Sequence, residues 1–144
     1  MATFNKFEDF VEQIARGTHL FQSHTYKVAL TNTAPLASQV SYTTAQTPAP
    51  AAANGYTAGG SATTITLAEV SGTLTLQGTE VIFTAAGGAI GPFRYAILYN
   101  DTATTPVDAP VGFWDYGSSI TLQDGEQFKV RFNNATPGTI LTLS

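Results

Sequence analysis

The sequence predicts a mainly β protein, an antiparallel sandwich, jelly roll or small barrel preceded by one N-terminal amphipathic α-helix. From Tyr26 to the C-terminus, short segments alternate apolar and polar residues, and Gly, Pro, Asn or Asp punctuates the gaps between them. Many short antiparallel strands at close spacing are the pattern of a sandwich, jelly roll or barrel. A further observation sets the N-terminus apart: there the apolar residues recur at helical spacing.

In chain order, Phe4, Phe7, Phe10, Val11 and Ile14 fall on one helical face, with Lys6, Glu8, Asp9, Glu12 and Arg16 on the remaining surface. Asn5 followed by Glu8 resembles a capping box and Thr3 is an alternative cap. Gly17 supplies a stop, with Arg16 at the negative end of the dipole. A helix this short is marginal alone. Burying its large apolar side chains contributes roughly 1.5–3 kcal/mol each, while ordering each residue costs about 1–2 kcal/mol. It therefore needs docking, either on its own domain or on a partner. Residues 1–24 read as helix, arm and junction, and residues 25–144 as a single β domain.

Tyr26–Thr31 alternates as a strand and is broken by Asn32-Thr33-Ala34-Pro35. Residues 41–61 form a loop rich in Thr, Ala, Pro and Gly, longer than most connections in compact domains. Pro48, Pro50 and Tyr56 are its candidate contact residues. Strands then follow over 64–69, 73–77, 80–85, 91–102, 111–116, 119–122, 127–133 and 139–143, with Asp124-Gly125 as the clearest hairpin turn. Gly91–Thr102 is the longest signal. Phe93, Tyr95, Ile97 and Tyr99 share one face and Ala96 and Leu98 make the other half apolar, so this strand belongs at the centre of a sheet covered on both sides.

Charged residues make up 11% of the chain, against roughly 25% in ordinary soluble domains. A surface of Thr, Ser, Asn and Gln is weakly repulsive and tolerates dense contact with neighbours. The net charge is −4 and no Lys/Arg cluster occurs, which argues against nucleic-acid binding through a basic face. With no cysteine there is no disulfide framework, thiolate chemistry or thiolate zinc site. No apolar run reaches the roughly 18 residues of a membrane span. Glu8, Asp9 and Glu12 stand where a signal peptide would be uncharged, so synthesis in a cytoplasm is expected.

Chemistry is sparse. Gly87-Gly88-Ala89-Ile90-Gly91 lacks a following Lys-Ser/Thr and leads into a strand, so it is a turn rather than a phosphate loop. Gly117-Ser118-Ser119 lacks the pattern of a nucleophile elbow. His19 and His24 have no nearby carboxylate in sequence and read as polar junction residues, with protonation near pH 6 a possible loosening of the joint. Asp101, Asp108, Asp115 and Asp124 are isolated, without calcium-loop spacing. No catalytic residue, metal ligand, cofactor or enzymatic activity is expected. Trp114 and Tyr116 alternate away from Phe113, which makes them candidates for exposed aromatics, although a two-layer core is the plainer reading.

The stretches Phe4–Val11, Lys27–Pro35, Asn54–Gly60, Gly91–Thr102 and Trp114–Leu122 together resemble a family of small virion proteins of tailed bacteriophages and prophages, similar to siphophage capsid decoration or cement proteins. The resemblance covers nearly the whole chain. It implies a jelly-roll-like module, a homotrimer, that binds outside the head and braces the major capsid protein, with neither nucleic acid nor membrane as partner. The apolar face of the N-terminal helix would then be a clamp to the shell or to another subunit. The competing expectation is a tail or fibre-associated virion protein that binds host glycans through Trp114, Tyr116, Tyr56 and Tyr99.

Overall fold

A computed structural model describes residues 2–43, 49–133, 135 and 137–144. In chain order the elements are β1 (Thr3–Lys6), α1 (Phe10–Ala15), β2 (Tyr26–Thr31), β3 (Ser61–Thr63), β4 (Ile65–Val70), β5 (Thr73–Gly78), β6 (Val81–Thr84), β7 (Ile90–Asn100), β8 (Pro110–Leu122), β9 (Gln127–Val130) and β10 (Gly138–Leu143). They form a five-stranded sheet in the order β1-β8-β7-β2-β3, a three-stranded sheet β10-β5-β4 and a two-stranded sheet β6-β9, with every pairing antiparallel.

Strand β7 occupies the middle of the large sheet, between β8 and β2. Every residue from Tyr95 to Asn100 is buried, so the expectation of a strand covered on both sides holds. Register places Phe4, Trp114, Ala96 and Leu30 side by side across one face, and Asn5, Phe113, Ile97 and Ala29 across the other. On the first face Trp114 meets Phe132, and Phe83 of the two-stranded sheet meets Tyr56. On the second, Phe113 meets Phe7 and Tyr99 stacks on Tyr42. Residues from all three sheets join one apolar core.

The N-terminal reading requires correction. Thr3–Lys6 is a strand paired to β8, and the helix is confined to six residues with no side-chain bond capping its start. Neither Thr3 nor an Asn5–Glu8 box caps it. The reason is a gap in the neighbouring strand: a Cβ on Gly112 would lie 2.1 Å from the Phe4 ring, so glycine at that position lets the ring lie flat across β8 and onto Trp114. Cross-strand packing of an aromatic there outweighs local helical spacing. Phe7 and Phe10 are buried in the chain's own core.

Two further boundaries differ. The strands expected over 111–116 and 119–122 are one strand, β8, whose register against β7 jumps between the pairs Tyr95–Asp115 and Phe93–Ile120. Extra residues are looped out of the ladder there, as in a bulge. Ser61, the last residue of the loop expected from sequence, pairs together with Ala62 and Thr63 against β2 as the edge strand β3.

Candidate functional site

Three places gather polar groups or empty space. The first lies beneath α1. Asn100 Nδ2 comes within 3.4 Å of His19 Nδ1, His24 Nδ1, Tyr26 Oη and the Thr18 carbonyl, while its Oδ1 accepts from the backbone of Thr102 and Ala103. That side chain therefore fixes the β7–β8 turn and ties the residues after α1 to the sheet. His19 stacks on Phe21 and its Nε2 is buried without a partner. Burial, assisted by neighbouring His24, lowers its pKa to about 4, because protonation would place a charge in the core beside a second imidazole. This is a structural knot of polar groups that tie one another in place.

The second place is a cleft of about 450 Å³ lined by Lys27, Tyr42, Tyr99, Asp101, Val107 and Asp108 among others. Lys27 Nζ pairs with Asp101 Oδ2 at 2.9 Å. Asp108 is shifted upward by burial and by Asp101, and burial, Tyr56 and Asp108 push the Tyr42 phenol up to about 12. Tyr99 Oη donates to the Gly59 carbonyl at 2.6 Å. Tyr99 bonds inward and Tyr42 stacks on it with its hydroxyl buried and, among the described residues, unpartnered, which makes both wall rather than platform.

The third is a groove of about 610 Å³ along the seam where the large sheet ends at β1. Its apolar lining comes from Phe4, Trp114, Tyr116, Ile140 and Leu141, and its cations are Lys129 and Arg131. Arg131 Nε is bonded to Glu80 at 2.6 Å.

The predicted site residues are dispersed. Trp114 is only 6% exposed and Tyr116 is partly buried, edge-on to Phe128, so neither is a free aromatic platform. Register explains this: Trp114 faces the core side with Ala96 and Leu30. Tyr56 is buried and accepts the Leu30 amide on its hydroxyl, whereas Pro50 is half-buried and Pro48 lies outside the described residues. Of the N-terminal contact candidates, Phe7 and Phe10 are withdrawn into the core, Phe4 and Ile14 are partly buried, and Val11 is exposed.

Sequence reading missed an aliphatic belt. Residues 35–42 lie against the sheet, pinned by Glu8 N to Ala37 O at 2.9 Å and by Tyr42 N to Asp108 O at 3.0 Å. Leu36 and Val40 of this segment, like Val11 and Val107 elsewhere in the chain, are more than half exposed. The signal was present as apolar residues in a segment with no strand periodicity. Compared with known protein families, curated proteins and solved structures, the chain finds no match.

Proposed function

We propose that this chain is a non-enzymatic structural protein of a tailed-bacteriophage virion, a decoration subunit on the outside of the head that braces the major capsid protein. The aliphatic belt of Val11, Leu36, Val40 and Val107 carries this reading. Exposed aliphatics on a sparsely charged surface suit a contact face. Four of the six cations are paired with carboxylates: Arg16 with Glu12, Lys27 with Asp101, Arg94 with Asp115 and Arg131 with Glu80. A modest contact suffices, because many copies on one shell multiply their effective affinity. The jelly-roll-like description of the sheets and assembly as a homotrimer belong to the same proposal. Cyclic trimers close through two different surface patches on each subunit.

The test is co-sedimentation of the purified protein with expanded, emptied heads, followed by denaturation of the heads in guanidinium. Saturable binding and a raised midpoint for shell disassembly are expected. Leu36→Ser with Val40→Ser should abolish binding while the unfolding midpoint of the free protein changes little. Heads that sediment without the wild-type protein would sink the proposal.

A further inference from the structure

The seam groove has features that the aliphatic belt lacks. Three strands end their sheets along it: β1 pairs only with β8, β10 only with β5, and β9 only with β6. Each of those strands pairs along a single edge, so its other edge has backbone N–H and C=O groups open to a further strand. One carbonyl at this seam, that of Thr3, is satisfied by Asn5 Nδ2 at 3.0 Å. Below lies an apolar floor of Phe4, Trp114, Ile140 and Leu141, and at the side stand Lys129 and Arg131. Among the described residues no carboxylate lines the groove, and the ion pair at its side is that of Arg131 with Glu80. Lys129 has no ion-pair partner among the described residues.

We infer that this groove takes an extended acidic segment of a partner protein as an added strand. A strand presents alternate side chains to opposite sides. One set would drop apolar groups onto Phe4, Trp114 and Leu141, and the other would turn carboxylates toward Lys129, with Arg131, already bonded to Glu80, adding a second contact only by sharing. Backbone bonds to a free edge supply affinity, and the alternate side chains supply choice. A second copy of this chain is a poorer occupant. Its strands carry only two carboxylates, Glu69 and Asp115, and Asp115 is held by both Arg94 Nε and Nη2. The inference goes beyond the proposed function and does not depend on it, since it specifies a groove ligand whatever the belt contacts.

The experiment titrates the intact protein into two fluorescein-labelled peptides, one alternating valine with glutamate and the other valine with lysine, and follows anisotropy. Saturable binding of the glutamate peptide alone is expected, weakening with added salt. Lys129→Glu combined with Arg131→Gln should weaken it roughly tenfold. Circular dichroism of the variant controls for folding, and Lys129→Glu alone serves if the double variant unfolds. No binding, equal binding of the lysine peptide, or self-association that fills the groove in sedimentation equilibrium would each overturn the inference.

Discussion

The two seams of the large sheet are built in opposite ways. At the β3 seam the chain passes straight from the large sheet into the three-stranded one, with Thr64 alone between β3 and β4. Hydrogen bonds lock that crossing: Thr63 Oγ1 donates to the Thr79 carbonyl at 2.7 Å, the Thr64 amide donates to Thr79 Oγ1 at 3.0 Å, and the Thr79 amide donates to the Thr64 carbonyl at 3.1 Å. At the β1 seam the sheets part around a groove. The difference teaches that one seam secures the fold and the other presents edges. Interior residues near the first should govern stability, and surface residues at the second should govern binding.

The largest expected effect is at Gly60, beside the closed seam. Its φ is +82° and a Cβ there would lie 1.9 Å from the Val28 carbonyl oxygen, which is backbone and has no room to yield. Gly60→Ala should cost about 3–5 kcal/mol or prevent folding, read by chemical denaturation; a loss below about 1 kcal/mol would break the account of this seam. Next comes Phe10→Ala, expected to cost about 3–5 kcal/mol because the ring is fully buried against His19 and Phe21. That outcome would separate a core role for the N-terminal segment from a clamp that leaves the β module intact on removal.

A pH series sharpens the contrast between buried and open polar groups. His19 in the folded protein titrates at about 4, below the ordinary 6.5, so its neutral form is favoured by folding. The associated stability is complete above pH 6.5 and declines as pH falls toward 4, by on the order of 3 kcal/mol. His19→Gln should flatten that part of the profile, whereas an unchanged slope would assign the acid sensitivity elsewhere. Thr79→Val removes one acceptor at the closed seam and should cost about 1 kcal/mol. Smallest of all, Lys129→Glu in the open groove should shift stability by less than about 0.5 kcal/mol. A large shift there would show that the groove is part of the folding core.

Much of the β architecture was legible because a half-buried ladder imposes a period of two. Tyr26–Thr31, the strands near 65–70, 73–78 and 81–84, and the long β7 all follow from alternation and turn residues. The candidate contact residues were less legible. Spacing groups Phe4, Phe7 and Phe10 on a helix equally well whether or not a strand precedes it, and only the space over Gly112 settles where Phe4 lies. Asn100 read as the stop before a turn, and it is the last residue of β7, but nothing local reveals that its amide gathers residues about eighty positions earlier in the chain.

By itself, then, the sequence determined the secondary-structure class, the central place of β7 and the scarcity of charge, because these depend on local periodicity and composition. Tertiary structure alone decided that Trp114 and Tyr56 are core, that Phe10 is anchored rather than offered, and that one seam closes while the other stays open. Those outcomes depend on register and on which distant strands meet, and a shift of one residue in pairing would turn each side chain to the opposite face.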